Sequence, residues 1–503
     1  MAITDLNYHS YFSLHTTADS TASTNEYNIF DEDRYSSYSF ASVSSPDITY
    51  TSGDGKITFG AAGVYLIVVD VPVTVSGNTR VVGRLNINGT AVYTSDNLFA
   101  IDSADPFTYT FQTILTISKG DYLQVTLESS HGTRTLVAQN GASVVALKSN
   151  GDYANLFYTA SANAAGSGPA EFTIFDSDNG GTVQSTLNNV TFAAGTGLLT
   201  PANTRTFLML ASLMAEAGTD GEASLKLYAN GSAVDDVAGL ITSYEPIDIT
   251  YGFLSSLTGG QTASARTIGA GTITAEKGTS FTLFDITNNA GASPKALLSF
   301  TVDADSSDLA DGNDICFDSN KWGSYAKTDR VTASGITYTA DGGTFVTNSP
   351  GKYFILWNLV LGTADTGDRT IVIKNGSTEV YTAPMHMHSN LDPMEKTTCV
   401  ILSAAAGDSF TFVISEGEAK IDAGTSITMF KVDDLGDLFP ESEASTQIGD
   451  DYTINTQNPD VVGKQHSNIT DKRTPFSVGV PGPGNLRGRT TAYAPSLGGK
   501  TKK

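Results

Sequence analysis

Residues 84–93, RLNINGTAVY, hold the pattern that decides the fold, an Asn-Gly pair at Asn88-Gly89 after alternating apolar and polar residues. The pattern returns in residues 225–234, LKLYANGSAV, and in residues 371–381, IVIKNGSTEVY. Such a pair indicates a β-hairpin, because both central residues of a type I′ turn need a positive φ angle. The chain therefore contains three related hairpins, whose Asn-Gly pairs are 142 and 145 residues apart.

Two further landmarks recur in the same order and with the same period. A Phe-Asp pair stands near the start of each repeat, at Phe30-Asp31, Phe175-Asp176 and Phe317-Asp318. A Gly-x-Ser triplet leads into apolar residues near the end of each repeat, beginning at Gly141, Gly278 and Gly424. Three marks that keep one order at a period of about 140 residues predict three tandem copies of one structural unit.

The composition favours short strands and tight turns. Only 16% of the 503 residues are charged and 49 are glycine, whereas a soluble domain averages about 25% charged residues. Short strands with frequent turn signals indicate a sandwich or barrel, and a unit of about 140 residues fits one double-sheet jelly roll. We therefore predict an all-β chain with three tandem jelly-roll β-sandwich domains at 1–149, 150–290 and 291–434. The second domain has diverged most, and residues 435–503 form an irregular extended tail.

The order of motifs in the first and third units resembles the jelly roll shared by tumour necrosis factor and the globular heads of complement collagens. The matching motifs are a Gly-x-Tyr strand, the Asn-Gly hairpin, a Gly-Asp turn and the strand after Gly-x-Ser. The resemblance implies a homotrimer, with the Gly-x-Tyr strand and the final strand near a threefold axis. The interface residues implied in this way are Tyr65 and Tyr353, together with Val145, Phe281 and Ile427 or their neighbours in the final strand.

Charge separates the C-terminal tail from the rest of the chain. Residues 461–503 hold eight basic residues against one acidic, a net charge of +7, which leaves −31 on residues 1–460 of a chain whose total is −24. So acidic a body repels nucleic acid and anionic membranes, and we expect neither as a partner. The tail is predicted to anchor the protein to an acidic surface, either of a neighbouring virion protein or of its own acidic body. The alternative is a tail that only increases solubility or that binds packaged nucleic acid. Its apolar and basic anchor residues are Pro475, Phe476, Val478, Val480, Arg487, Arg489, Lys500, Lys502 and Lys503.

The sequence contains no catalytic motif, because it lacks a nucleophile elbow, a phosphate loop before a helix and a CxxC pair. We therefore expect a protein that is not an enzyme and has no cofactor. The two cysteines, Cys316 and Cys399, cannot form a disulfide framework and are predicted to be free buried thiols.

Two groups of residues are candidate metal ligands, each with an ordinary alternative. His386 and His388 would share one face of a strand and could meet their counterparts on a trimer axis, or they could simply form a polar strand edge. The acidic residues Asp303, Asp305 and Asp308 echo a calcium loop, but the glycine and the bidentate glutamate of such a loop are missing. A solvated acidic loop is the alternative there.

These features together predict a structural protein of a virus particle. The N-terminal residues show no signal peptide, so we expect assembly in a host bacterial cytoplasm and residence in the virion. The predicted protein is a tailed-phage head decoration protein or capsid-bound fibre, with capsid or tail components as partners. The alternative is a tail fibre or receptor-binding protein that binds a host glycan or protein through apical loops. Four aromatic residues would serve that alternative, although core or interface packing is the interpretation we favour for them: Tyr35, Tyr38, Trp322 and Tyr325.

Overall fold

The computed structural model describes residues 9–435 and 470–477 with internal gaps. The gaps are 37–39, 78, 96–97, 101–105, 150, 161, 164–170, 218–220, 242–246, 270–271, 288–291, 307–313, 323–324, 363–366, 388–393, 416–419 and 473. The fold is all-β, with 65% strand and 4% helix, as predicted. None of the described helices has the length and hydropathy of a membrane span. Contacts divide the chain into a body, residues 8–436, and a second unit made of residues 1–7 and 437–503.

Two antiparallel sheets from residues 11–148 form the first sheet pair. Its strands are β1 (Tyr11–Thr16), β2 (Tyr27–Asn28), β3 (Phe40–Ser44), β4 (Ile48–Thr51), β5 (Lys56–Phe59), β6 (Gly63–Val75), β7 (Thr79–Ile87), β8 (Thr90–Thr94), β9 (Leu98–Ala100), β10 (Phe107–Ile117), β11 (Tyr122–Ser129), β12 (Leu136–Ala138) and β13 (Ser143–Lys148). The inner sheet has the order β10-β6-β13-β1-β3, with β12 beside β6. The outer sheet has the order β4-β5-β11-β7-β8, with β2 beside β11 and β9 beside β7. One hydrophobic core lies between them and includes Phe12, Tyr65 and Val125.

The second sheet pair repeats this order over residues 153–285. Its strands are β14 (Tyr153–Ala160), β15 (Ala162–Asn163), β16 (Phe172–Thr173), β17 (Thr182–Asn188), β18 (Val190–Ala193), β19 (Leu198–Pro201), β20 (Arg205–Ala217), β21 (Gly221–Ala229), β22 (Ser232–Ile241), β23 (Ile247–Leu257), β24 (Ala263–Gly269), β25 (Ile273–Ala275) and β26 (Ser280–Asp285). The inner sheet runs β23-β20-β26-β14-β17, with β25 beside β20 and β15 beside β25. The outer sheet runs β18-β19-β24-β21-β22, with β16 beside β24.

The third sheet pair has the same strand order over residues 297–431. Its strands are β27 (Leu297–Val302), β28 (Asp314–Ile315), β29 (Lys327–Ser334), β30 (Ile336–Thr339), β31 (Thr344–Thr347), β32 (Gly351–Gly362), β33 (Gly367–Asn375), β34 (Thr378–Met387), β35 (Met394–Ala404), β36 (Ser409–Ser415), β37 (Lys420–Ile421) and β38 (Ser426–Lys431). The inner sheet runs β35-β32-β38-β27-β29, with β37 beside β32, and the outer sheet β30-β31-β36-β33-β34, with β28 beside β36.

Each repeated Phe-Asp pair starts a short 3₁₀ helix. The phenylalanine is buried in the core of its own sheet pair. The aspartate is the N-cap, whose side chain accepts a 3.0 Å hydrogen bond from the backbone N–H two residues later. The three helices are Glu32–Arg34, Ser177–Asn179 and Ser319–Lys321, and further 3₁₀ turns occupy Ser52–Asp54 and Val432–Asp434.

The Asn-Gly hairpins follow the prediction in the first two repeats and differ in the third. Asn88 and Asn230 both have φ near 52°, and the glycines after them are also positive, as a type I′ turn requires. In the third repeat Asn375 still pairs with Thr378, so the turn shifts to Gly376 and the residue after it. Gly376 has φ 61°. A positive φ at the first central residue alone is typical of a type II′ turn.

A central hydrophobic cluster joins the inner sheets of all three pairs. The strand registers identify equivalent side chains, three from each pair. These are Leu66, Ile114 and Leu147 of the first pair, Leu208, Leu254 and Phe284 of the second, and Phe354, Ile401 and Phe430 of the third. Each is at most 3% exposed. The body therefore has a fourth core, which is shared by the three sheet pairs of a single chain.

The residues that the family resemblance implied for a trimer interface lie in two kinds of core. Val145 does lie in the central cluster. The other four side chains lie in the cores of individual sheet pairs: Tyr65, Phe281, Tyr353 and Ile427. Successive residues of a strand face opposite sides of the sheet, so the next residues, such as Leu66, reach the centre instead. The inner-sheet faces are thus covered within one chain, and the homotrimer stays a prediction.

Candidate functional site

The three sheet pairs contact one another in a single rotational direction. Strand β10 of the first pair packs on the inner sheet of the second, β23 of the second on that of the third, and β35 of the third on that of the first. Head-to-tail contacts of this kind generate a ring when the rotation closes. We name these contacts the first, second and third junctions. The chain itself connects the pairs at the first and second junctions, whereas the third joins the two ends of the series.

Hydrogen bonds cross each junction, and those of the second and third junctions are equivalent. The backbone N–H of Leu254 donates to Ser299 Oγ at the second junction over 3.2 Å, and the N–H of Ile401 donates to Ser13 Oγ at the third over 3.0 Å. At the first junction, Gln112 Nε2 donates to Ser280 Oγ over 2.8 Å. The junctions thus pair polar groups that would otherwise be buried without partners.

A polar cluster replaces apolar packing where β10, β23 and β35 begin. Its members come from all three sheet pairs: Asp70, Thr108, Thr110, Ser212, Asp248, Thr250, Asn358, Glu395, Lys396 and Thr397. The side chains of Asp70 and Lys396 are 0% exposed. Asp248 and Glu395 are partly exposed. Three carboxyl groups and one amine therefore share a site with little water.

Asp248 connects the first and second sheet pairs. Its Oδ1 accepts hydrogen bonds from Ser212 Oγ at 2.8 Å and Thr250 Oγ1 at 2.9 Å, and its Oδ2 accepts from the Thr110 N–H at 2.9 Å. Burial nevertheless raises the pKa of Asp248 to about 7, because desolvation of the charged form outweighs these donors.

Glu395 connects the third pair to the second. Its Oε2 accepts from Thr397 Oγ1 at 2.7 Å, and its Oε1 accepts from the Thr250 N–H at 3.3 Å. Burial, together with the nearby carboxylate of Asp248, raises the pKa of Glu395 to about 8. Both carboxyl groups therefore change charge in the neutral pH range, in contrast to exposed carboxyl groups.

Asp70 and Lys396 meet at the third junction. Lys396 Nζ lies 3.5 Å from each carboxylate oxygen of Asp70 and donates to Thr108 Oγ1 over 2.9 Å. Thr110 Oγ1 donates to Asp70 Oδ1 over 3.3 Å. Burial raises the pKa of Asp70 and lowers the pKa of Lys396, while their mutual attraction acts against both shifts.

The candidate metal ligands do not come together. No three His, Cys, Asp or Glu side chains converge to hold a metal ion within the described part of the chain. His386 is buried, with Nδ1 2.7 Å from Asp368 Oδ1, and His388 lies outside the described residues. Asp305 accepts from Lys420 Nζ at 3.0 Å, and Asp303 accepts from Thr328 Oγ1 at 2.6 Å. Asp308 lies outside the described residues, so its role stays a prediction.

The aromatic candidates for ligand binding pack inside the protein. Tyr35 is 7% exposed and Trp322 6% exposed, and the rings of Trp322 and Tyr325 meet edge to face at 5.6 Å. Tyr38 lies outside the described residues. Cys316 and Cys399 are free and buried, which confirms the prediction made for them.

A short part of the predicted tail forms regular structure, and the prediction of an irregular tail stays untested for the remainder. Strands β39 (Thr470–Lys472) and β40 (Thr474–Ser477) pair antiparallel, and Pro475 and Phe476 lie in β40. Threonine and phenylalanine favour strands, which accounts for the pairing. The remaining predicted anchor residues lie outside the described residues: Val478, Val480, Arg487, Arg489, Lys500, Lys502 and Lys503.

Comparisons with known proteins find structural neighbours of low similarity. Neither a protein-family model nor a curated protein matches the sequence. An Eiger TNF from S. frugiperda is 13% identical with a TM-score of 0.22, over 29% of this chain and 99% of that chain. A structure of Sulfolobus Turreted Icosahedral Virus is 11% identical with a TM-score of 0.17, over 83% of this chain and 99% of that chain. Sequence identities and TM-scores this low support no conclusion about function.

Sequence reasoning missed the polar cluster, although one signal pointed to it. Asp70 is the single charged residue in the apolar run from Gly63 to Val75. A charge in a buried strand needs a partner. Its partner Lys396 is 326 residues away in the sequence, so only the folded structure identifies it.

Proposed function

We propose that this protein is a non-enzymatic structural component of a virus particle, a tailed-phage head decoration protein or capsid-bound fibre. In this proposal the three sheet pairs are jelly-roll domains that one chain arranges as a trimer resembling tumour necrosis factor. The observation that carries the proposal is the closed ring of junctions around the central cluster. A ring of three similar bodies suits a threefold position on a symmetric particle.

One chain is sufficient for this trimer-like body. The equivalent faces of all three inner sheets are already buried against one another. A single chain therefore replaces the homotrimer expected from the family resemblance. Sedimentation of the free protein at low micromolar concentration tests this part, and we expect one species near 52.8 kDa. A species of three chains would overturn it.

The C-terminal tail is proposed to be the attachment point. Its net charge of +7 contrasts with −31 on residues 1–460, so the tail suits an acidic face of a neighbouring virion protein. Prolines in the tail lower the conformational entropy that is lost when it docks. Attachment through charge predicts binding that weakens as salt increases.

Deleting residues 461–503 tests the attachment. The truncated chain should keep the oligomeric state of the full chain and the strands of all three sheet pairs, since these strands lie before residue 436. It should be absent from purified virus particles. Mass spectrometry of the particles, with the copy number of each protein, measures this. A matched control replaces Lys374 and Glu379 of the β33–β34 hairpin by glutamine, and this variant should be incorporated fully. Full incorporation of the truncated chain would overturn the proposal, as would absence of the intact chain from particles.

A further inference from the structure

We propose that Lys396 and Asp70 form an intramolecular isopeptide bond, from Lys396 Nζ to Asp70 Cγ, that closes the third junction covalently. The two residues lie on β35 of the third sheet pair and β6 of the first. Both side chains are completely removed from solvent. A bond here would link two parts of the chain that are 326 residues apart.

The contact geometry places the amine against the carboxyl group. Lys396 Nζ lies 3.5 Å from both Oδ1 and Oδ2 of Asp70. A charge-assisted hydrogen bond is about 2.7–2.9 Å long, so the amine makes no short hydrogen bond to either oxygen. Thr108 Oγ1 accepts from Nζ at 2.9 Å, and Thr110 Oγ1 donates to Asp70 Oδ1 at 3.3 Å. The two threonines position the reacting groups from β10, which runs beside β6.

The surroundings favour the uncharged forms of both groups. An amine attacks only when it is neutral, and a carboxyl group loses its oxygen as water only when it is protonated. Burial lowers the pKa of Lys396 and raises the pKa of Asp70, which shifts the pair toward both reactive forms. The other titratable groups that interact with the pair are Glu395, Asp248, Tyr381 and Cys399. None of these four adds a positive charge that would favour the ionised carboxylate.

The reaction balances without any further reagent. A proton passes from the Lys396 ammonium to the Asp70 carboxylate, which leaves an amine and a carboxylic acid. Nζ attacks Cγ to form a tetrahedral intermediate. The C–O bond to the hydroxyl breaks, a proton from nitrogen leaves with it, and one water is released. The amide is neutral, as is the starting pair taken together, so no unpaired charge stays buried.

The site also favours the bond over its hydrolysis. Holding two reactants in contact replaces a bimolecular encounter with a step inside one molecule. Exclusion of water removes the reactant that would hydrolyse the amide bond. Both conditions follow from the complete burial of the pair.

The position of the pair in the ring supports a covalent role. The polypeptide already connects the sheet pairs at the first and second junctions, but not at the third. At the first junction the register puts Tyr109 in the place of Lys396 and Ser212 in the place of Asp70. At the second junction the same places hold Ile249 and Asn358. An amine and a carboxyl group therefore meet only at the junction that lacks a chain connection.

Mass spectrometry of the wild-type protein tests the proposal directly. We expect an intact mass lower than that of the sequence by one water. Trypsin should release residues 57–80 joined to residues 375–420, because an acylated Lys396 is not cleaved. Full intact mass, with residues 375–396 and 397–420 recovered as separate peptides, would overturn the proposal.

Two variants and a control test whether the lost water comes from Lys396 and Asp70. Lys396→Arg keeps the positive charge but removes the nucleophilic amine, and Asp70→Ala removes the carboxyl group; each should have its full intact mass. Lys352→Arg, on the neighbouring strand β32 and partly exposed, should still lack one water. A water lost from Lys396→Arg would overturn the assignment. If either variant fails to fold, the joined tryptic peptides of the wild type decide the question alone.

Discussion

The hydroxyl of Tyr93 in the first sheet pair donates a 2.9 Å hydrogen bond to the carbonyl oxygen of Gly278 in the second. Its counterpart Tyr381, in the third pair, donates to the carbonyl of Gly141 in the first over 2.7 Å. Each tyrosine follows an Asn-Gly hairpin, and each glycine opens a Gly-x-Ser triplet. Two of the repeated sequence landmarks therefore contact each other across the junctions of the ring.

Replacing Tyr93 by phenylalanine should weaken the first junction. The change leaves the buried Gly278 carbonyl without its donor, which costs about 1–3 kcal/mol in the free energy of unfolding. Urea denaturation measures the loss. Tyr122→Phe is the matched control, because its hydroxyl makes no hydrogen bond in the described structure, and it should change stability by less than about 0.5 kcal/mol. Equal losses in both variants would contradict the assignment.

Truncating Leu254 should loosen all three sheet pairs together. Leu254→Ala opens a cavity in the central cluster and should lower the free energy of unfolding by about 2–5 kcal/mol. Hydrogen exchange should become faster for the β6 and β32 amides, which belong to the other two pairs. The control Leu227→Ala lies in the core of the second pair and should accelerate exchange there alone. Unchanged exchange in β6 and β32 after Leu254→Ala would contradict a shared core.

The buried carboxyl groups should make the body less stable as pH rises from about 4 to about 8. The pKa values of Asp248, about 7, and Glu395, about 8, are above their ordinary values. The folded state therefore keeps protons that the unfolded state releases in this window, and stability falls until pH passes the folded-state values. We expect a loss of about 1–3 kcal/mol from the pair after allowing for its partial exposure.

A double variant separates this effect from other titrations. Buried His15 has its pKa lowered to about 4 by desolvation, so it opposes the carboxyl groups by destabilising the body as pH falls below about 6.5. Asp248→Asn combined with Glu395→Gln should retain the histidine effect and lose the decline toward pH 8. Urea midpoints measured from pH 4 to 9 provide the comparison. An unchanged decline in the double variant would rule out these two carboxyl groups as its source.

The aspartate of the repeated Phe-Asp pair should contribute as a helix cap. Asp176→Ala removes the acceptor for the Asp178 N–H, 3.0 Å away, and should cost about 1 kcal/mol of unfolding free energy. Asp178→Ala, an exposed change in the same helix, serves as the control and should have a smaller effect. Thermal unfolding of the two variants distinguishes them, and a larger loss for Asp178→Ala would contradict the role of the cap.

Local patterns predicted the strands well because their causes are local. The Asn-Gly turns and the alternation around Leu85 and Leu225 follow from φ preferences and from side-chain direction, which a short segment specifies. The central cluster, in contrast, forms only when a distant part of the chain packs on an apolar strand face. Leu66 and Phe354 have the same pattern whether a second chain or another repeat of the same chain packs on them. Sequence periodicity contains no information on that choice, so it could not predict that the inner-sheet faces of the three repeats pack on one another within one chain.

A ring made from one polypeptide can place a different residue at each of three related positions. In an assembly of identical chains, an aspartate at the position of Asp70 would appear three times, with repulsion among the copies. Here the related positions hold Asp70, Ser212 and Asn358. The opposing positions hold Tyr109, Ile249 and Lys396. The three sheet pairs share one strand order but differ in the residues at these positions, so a substitution near the centre of the ring changes one junction and not three.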